Sequence, residues 1–376
     1  MKILSRRAVK HLRASAILNA LPDGAYITDV DRNILFWSAA ASRITGWTDT
    51  EVAGHSCNDN ILVHVDKDGH ELCGKDMCPL HRSIVTGLPS KEPLLVYAKH
   101  RSGERIPVEV SVAPLRDSKG RVVGGIELFR DLTASMKDLE RAHLIQASAM
   151  ESHPDSEPRL AVSIRYTPND LVGGDFYHVE HLYPDLIGVM IADVMGHGVA
   201  SALYTMQLRS LWEDWREEAG NPARFVTHIS RQLHVLAEDA GYFATAICMT
   251  INPATGELDF VRAGHPAPLH VGLDGRASSV GTVQMALGMV DDAVYTSEHL
   301  TLAHGETILL YTDGAIEIIN DKEVELGEAG LIDLLSRKEV LCDGIPRLDL
   351  LEEKLLAYSA GIRLADDLTL LAITRR

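Results

Sequence analysis

Apolar and polar positions alternate with the period of a strand in GAYITDV and NILFWS, on either side of an Asp31-Arg32-Asn33 turn. The same alternation returns in EPLLVYAKHR, RIPVEVSVAPL and VVGGIELFRDLT, which are separated by Ser102-Gly103 and by the turn residues from Asp117 to Gly120. Residues 19–133 therefore read as two early strands, short helices and a closing three-strand meander. The period then changes. In SMKDLERAHLIQASAM, apolar residues recur at roughly helical spacing through Met136, Leu139, Ala142 or His143, and Ile145 or Gln146, and ESHPDSEPR with its two prolines ends the helix.

Strand patterns resume at LAVSIRYTP, GDFYHVEHL and LIGVMIADV, followed by helical patterns over residues 199–220 and 222–239. YFATAICMTINP, ELDFVRAG, APLHVGL and TILLYT read as further strands, residues 326–338 and 347–359 as helices, and LTLLAITR as a final strand. Strands flanking a helical pair favour a layered α+β sandwich. The pattern divides the chain into an N-terminal helix at 1–18, a first domain at 19–133, a linker helix at 134–157 and a second domain at 158–376. A length of 376 residues suits two domains of ~100 to 200 residues each.

Charge narrows the partners. A formal charge of -17, with no Lys/Arg stripe interleaved with aromatics, opposes nucleic-acid phosphates. No stretch reaches the ~18 consecutive apolar residues of a membrane span, and the apolar part of the opening segment is broken by Ser15 and Asn19, unlike a signal peptide. Five cysteines without an export signal point to reduced thiols or a metal site, not a disulfide framework, and make the cytoplasm the expected compartment.

Four aspartate signatures carry the candidate chemistry. Asp175 follows Gly173-Gly174, where the absence of side chains lets backbone approach closely; a simple turn or bulge is the plainer reading. Asp193 ends the apolar run of LIGVMIADV and enters a Gly196-His197-Gly198 turn, which suits oxygen ligation of a hard cation or, alternatively, anion binding. Asp313-Gly314 ends TILLYT, and Asp366-Asp367 opens the last strand. Singly, each is an ordinary turn or strand start; together, strands distant in sequence can bring them to one sheet edge.

The ordered pieces VGGDFY, IADVMGHG, FATAI, GELDFVRAGHPAPL, ALG, YTDGAIE and DDLTLLAI resemble the PPM-type serine/threonine phosphatases of the bacterial SpoIIE and RsbU group. The resemblance covers residues 159–376. It implies a helix-flanked β-sandwich binding two Mn²⁺ or Mg²⁺ ions: Asp193 bridges both, the Val194 carbonyl completes the first site, and Asp313 with Asp366 holds the second. Asp367 is the substitute for Asp366, and Asp175 acts through bound waters. All-oxygen donors suit these cations, and a metal pair generates a water nucleophile for in-line attack on phosphorus. His197 is the candidate general acid, with capping or packing as its alternative; His265 is assigned a structural role, and Arg165 is read as a surface arginine or a phosphate contact. By the same resemblance the substrate is a phosphorylated STAS-type protein in a partner-switching pathway, and the protein is a homodimer. The sequence departs from the family at His178, at Met195 and at Ala147 to Met150, where a Leu-Leu-Pro entry is usual.

The opening ALPDGAYITDVDRNILFWSAAASRITGW and the ending KHRSGERIPVEVSVAPLRDSKGRVVGGIELFRDLT resemble a PAS domain, which implies an antiparallel sheet with flanking helices and a sensing or dimerising role. Inside it lie Cys57, Cys73 and Cys78 at a C-x15-C-x4-C spacing, with His55 and His81 beside them and His64 and His70 among them. These donors suit zinc, an iron-sulfur centre or haem, or a redox pair; the other reading is reduced thiols packed as small hydrophobes. A sensor histidine kinase is the reading from another class, prompted by the Asp-x-x-Gly-x-Gly turn, but the chain lacks a phospho-acceptor helix and an asparagine-bearing box. A catalytically silent scaffold that sequesters its partner is opposed by retention of all the aspartates.

Overall fold

The computed structural model describes residues 14–67, 69–74, 77–150, 157–196, 198–237, 241–342, 345–361 and 364–376. The chain divides into two compact units, Met1–Asp138 and Leu139–Arg376.

The first unit opens with α1 (Ala14–Asn19), β1 (Gly24–Asp29) and β2 (Ile34–Trp37), followed by α2 (Ala39–Thr45), α3 (Asp49–Val52) and α4 (Pro79–Thr86). The meander β3 (Leu94–Lys99), β4 (Arg105–Arg116) and β5 (Val122–Asp131) closes it. All neighbours pair antiparallel in the order β2-β1-β5-β4-β3, so β5 is central. Local chemistry places the helices. Ser38 caps α2 by accepting the Ala41 N–H, and Gly46 ends it in the left-handed region. Pro79 starts α4, and Gly87 stops it at φ 69°. A Cβ on Gly125 would stand 2.6 Å from Leu80 Cδ1, so this strand glycine is what lets α4 lie close on the sheet. Tyr26, Trp37, Val96, Val110 and Phe129 fill the core beneath.

Helix α5 (Thr133–Ala149) follows directly. The expected N-terminal helix lies largely outside the described residues, as does the prolyl stretch 151–156 of the expected linker.

The second unit stacks two antiparallel five-stranded sheets. One comprises β7 (Asp175–Tyr183), β8 (Leu186–Val194), β9 (Ala244–Ile251), β10 (Glu257–Ala263) and β13 (Glu298–Thr301), in the order β13-β10-β9-β8-β7. The other comprises β6 (Leu160–Thr167), β11 (Leu269–Val271), β12 (Ala277–Ser279), β14 (Thr307–Tyr311) and β17 (Leu368–Arg375), in the order β12-β11-β14-β17-β6. A small hairpin, β15 (Leu341–Cys342) with β16 (Ile345–Pro346), lies outside them. The near-continuous apolar runs of β8, β14 and β17 follow from their position: each is covered on both faces. Val189, Ile191, Ile247, Ile308, Leu310 and Leu371 interlock between the sheets. Helices α6 (Val199–Asp214) and α7 (Pro222–Ala237) cover the first sheet through Leu208, Trp212, Phe225 and Ile229. Helices α8 (Gly327–Leu335) and α9 (Leu348–Tyr358) cover the second through Leu331, Leu335, Leu351 and Leu355. Each such fully buried side chain contributes roughly 1.5–3 kcal/mol. The sandwich thus holds the ends of β8, β14 and β17 on a rigid base.

Candidate active site

Asp193 is the penultimate residue of β8. It stands directly opposite Asp175 on β7 and Thr245 on β9. Asp313 opens a single turn of 3-10 helix after β14, and Asp366-Asp367 immediately precedes β17. The two latter segments meet backbone to backbone: a Cβ on Gly314 would fall 1.9 Å from the Asp367 carbonyl oxygen. Glycine in the Asp-Gly pair is therefore demanded by contact between strand ends, not by a turn.

The carboxylates feel one another. Burial, reinforced by the charges of Asp313, Asp366, Asp367 and Glu317, raises the Asp193 pKa to about 8. Asp313 is raised to about 6 by burial and by the charges of Glu317 and Asp366, and its Oδ1 is buried without a hydrogen-bond partner. Glu317 was missed in the sequence, where it reads as an ordinary residue after YTDGAI; the backbone N–H it donates to the Asp313 carbonyl at 2.8 Å folds it back toward the cluster.

Asp175 and Asp367 have different tasks. Asp175 is raised well above its ordinary value by burial and by Asp193 and Asp367. Its Oδ2 accepts hydroxyls from Thr312 at 2.8 Å and Thr369 at 2.5 Å, tying the first sheet to the second. Asp367 Oδ1 accepts the Asn169 N–H at 2.7 Å, while Oδ2 accepts those of Gly174 at 2.6 Å and Asp175 at 3.4 Å. With both oxygens engaged by backbone donors, Asp367 holds the Gly173-Gly174 loop. Val194 donates its N–H to the Gly174 carbonyl at 3.1 Å, and a Cβ on Gly174 would crowd the Val194 carbonyl at 2.9 Å. The glycine keeps that carbonyl accessible.

Among the described residues no three His, Cys, Asp or Glu side chains come together as a group that could hold a metal ion. The all-oxygen, uniformly negative set around Asp193 suits a hard cation that keeps several waters and takes only a few protein ligands. The unpartnered Asp313 oxygen and the open Val194 carbonyl fit that requirement.

The loop is also held from behind. Gln146 near the end of α5 is buried; its Nε2 donates to the Gly173 carbonyl and to Thr205 Oγ1, both at 2.8 Å, and its Oε1 accepts the Gly173 N–H at 3.1 Å. Arg165 reaches Glu352 at 3.7 Å, in keeping with its surface reading. His197 lies outside the described residues.

In the first unit, Cys57 and Cys78 are buried and Cys73 is half-buried, all as free thiols. Burial pushes the Cys73 thiol up to about 12 and that of Cys57 higher still. Cys73 Sγ accepts the His64 N–H at 3.1 Å. His55 is exposed and His81 half-exposed on α4, so the histidine that joins the buried thiols is His64. The three thiols lie near Tyr26, and Cys57 and Cys73 also near Glu127.

Comparison with known proteins agrees with this division. Residues 184–376, just over half the chain, match the model of stage II sporulation protein E, and residues 22–134 match a PAS domain. Phosphoserine phosphatase RsbP of Bacillus subtilis is 30% identical over 184 residues, which is 48% of this chain and 45% of RsbP. Phosphoserine phosphatase RsbU of the same organism is 23% identical over 250 residues, 66% of this chain and 71% of RsbU. The chain thus spans less than half of RsbP. The PP2C domain of SiaA from Pseudomonas aeruginosa shares the fold, with a TM-score of 0.56 at 24% identity over 65% of this chain and 99% of that domain.

Proposed function

Because the chain belongs to the stage II sporulation protein E family and carries a PAS domain, we propose that it is a metal-dependent protein serine/threonine phosphatase under PAS control. The observation that supports this reading is the negative charge gathered around Asp193, on which the strongest charges acting are those of Asp313, Asp366, Asp367 and Glu317. Such a set is costly until a cation offsets it. The names of RsbP and RsbU, both phosphoserine phosphatases, support the reaction class.

Asp193 would be shared between two Mn²⁺ or Mg²⁺ ions, with the Val194 carbonyl completing the first site and Asp313 and Asp366 holding the second. The bound cations would supply an activated water and charge stabilisation at phosphorus. The protein's own contribution is placement. Asp175, locked by Thr312 and Thr369, orients outer waters, and Asp367 fixes the glycine loop that leaves the Val194 carbonyl free.

The substrate we assign is a phosphoserine or phosphothreonine on a STAS-type protein, the enzyme acting as a homodimer in the cytoplasm; these assignments rest on the resemblance to the RsbU group. Control is assigned to α5, since Gln146 on that helix is bonded directly to the loop carrying Asp175. A signal that shifted the helix would move Gly173 with it.

Hydrolysis of a phosphorylated STAS protein by the full chain with Mn²⁺ tests the proposal. Activity that disappears in a folded Asp193→Asn variant is the expected result; a fully active variant refutes the site. Transfer of labelled phosphate from ATP to the chain itself would favour the kinase reading.

A further inference from the structure

Tyr166 is the penultimate residue of β6 and stands opposite Thr369 on β17. Its ring meets that of Tyr177 on β7 edge-on, with 6.1 Å between centroids. The Tyr166 hydroxyl is buried and has no hydrogen-bond partner among the described residues. An unpaired buried hydroxyl is disfavoured, yet an acceptor lies close by. A Cβ built on Gly173 would collide with both the Tyr166 hydroxyl and Asp367 Oδ2, so the two oxygens lie against the same face of that glycine. A side chain at position 173 would part them.

The acceptor is already occupied. Asp367 Oδ2 takes the N–H of Gly174 at 2.6 Å and that of Asp175 at 3.4 Å, which fills its two lone pairs. Tyr166 is ready to donate: burial, and then the charges of Asp367 and Asp175, hold its phenol far above the ordinary value, so the proton stays on. A donor without an acceptor therefore stands beside an acceptor whose donors belong to a loop. Asp367 does not hold that loop alone. Gln146 on α5 accepts the Gly173 N–H and donates to the Gly173 carbonyl, so displacement of the helix end pulls on the residue next to Gly174. Once the Gly174 N–H leaves Oδ2, the freed lone pair is open to the Tyr166 hydroxyl, and the displaced loop is stabilised.

We propose that Tyr166 is a positioning residue whose hydroxyl competes with the Gly174 N–H for Asp367 Oδ2, giving the Gly173-Gly174 loop a second position and limiting the share of molecules in which Asp175 is held in place. The competition involves no metal ion. Its effect on turnover rests on the phosphatase reading above.

The test compares the full chain with its Tyr166→Phe variant, by amide hydrogen exchange at Gly174 and by Mn²⁺-dependent hydrolysis of the phosphoprotein. Tyr166→Phe keeps the ring and removes only the competing donor. Exchange at Gly174 is expected to slow by about 2- to 10-fold, the net worth of one hydrogen bond in a local opening, and turnover is expected to rise with it. The effect should be local, because a hydroxyl that merely packs badly would change exchange at Gly174 and at the core amides of β8 in step. In a Gln146→Ala background, where the loop has lost its other hold, Tyr166→Phe should restore part of the missing protection and turnover. Exchange at Gly174 that is unchanged, faster, or slowed only in step with β8 overturns the competition. Slower exchange at Gly174 with unchanged turnover overturns its link to catalysis. A parent that does not hydrolyse the phosphoprotein sinks the phosphatase reading, while exchange at Gly174 still decides the role of Tyr166.

Discussion

The carboxylate of Asp367 accepts the backbone N–H of Gly174 at 2.6 Å, joining residues 193 positions apart in the chain. The start of the last strand therefore shapes the loop that delivers Asp175, and adjacent aspartates acquire separate roles. Asp367→Ala removes the acceptor of the half-buried Asn169 N–H and of the buried Gly174 N–H, the latter at a cost of about 1–3 kcal/mol. We expect a clear fall in thermal stability together with reduced turnover. Asp366 is exposed. Asp366→Ala is expected to keep the unfolding midpoint close to that of the parent while raising the Mn²⁺ concentration needed for activity. Unfolding curves and Mn²⁺ titrations of the two variants, side by side, separate the roles.

Gly314 makes a sharper prediction. An added methyl would lie 1.9 Å from the Asp367 carbonyl, and the obstacle is backbone. Gly314→Ala must part the Asp313 turn from the end of β17, moving a proposed ligand on either side. Loss of Mn²⁺-dependent hydrolysis is expected even where circular dichroism shows the sandwich retained. Gly361 has open space at its Cβ position but a φ of +85°, so Gly361→Ala should cost some stability through backbone strain and leave turnover unchanged.

Much of this architecture was legible because its signals are local and repetitive. The alternation in β4 and β5 and the apolar runs of β8, β14 and β17 each follow from a few consecutive residues. The short edge strands β12 and β13 were not read, since three or four half-exposed residues carry too little pattern. The site was legible as a set of aspartates but not as a division of labour. Whether Asp366 or Asp367 is spent on backbone donors depends on which one faces Asn169 and Gly174, and no spacing along the chain encodes that. Glu317 and Gln146 were passed over for the same reason: their partners, Asp313 and Asp193 for one and Gly173 and Thr205 for the other, are brought to them only by the fold. In the first unit the cysteine spacing pointed to His55, His64, His70 and His81 together, and burial selects His64 among them.

Gln146 is where the linker helix grips the catalytic unit. Gln146→Ala removes both bonds to Gly173 and one to Thr205. The loss should destabilise the docked end of α5 by about 1–3 kcal/mol and lower turnover, because the freed loop no longer fixes Asp175. Gln146→Glu should be worse. It cannot donate to the two acceptors, and it adds a negative charge behind a loop already crowded with carboxylates. Hydrogen exchange at the amides of residues 173–175, measured with Mn²⁺-dependent turnover, is expected to rise as activity falls; unchanged exchange in both variants would sink the proposed coupling.

The last prediction concerns the PAS core and its response to pH. Glu127 lies on the central strand β5, directly opposite Tyr26, whose hydroxyl donates to it; burial raises its pKa from 4.5 to about 8. His64 Nε2 lies 3.6 Å from its Oε1, and burial lowers that imidazole from 6.5 to about 4. Burial thus drives both groups toward their uncharged forms. For Glu127 the unfolded chain gives up its proton first as pH rises, so stability falls progressively from about 4.5 to about 8. For His64 the unfolded chain binds the proton first as pH falls, so stability is lost from about 6.5 down to about 4. The two slopes oppose each other in the acid range. Above pH 6.5 only the Glu127 slope remains, and the PAS unit is expected to lose stability steadily up to pH 8. Glu127→Gln, which cannot ionise, should flatten that segment of the profile; calorimetric unfolding of both full-length proteins between pH 6.5 and 8 measures the difference, and parallel profiles would show that the carboxyl ionises without penalty.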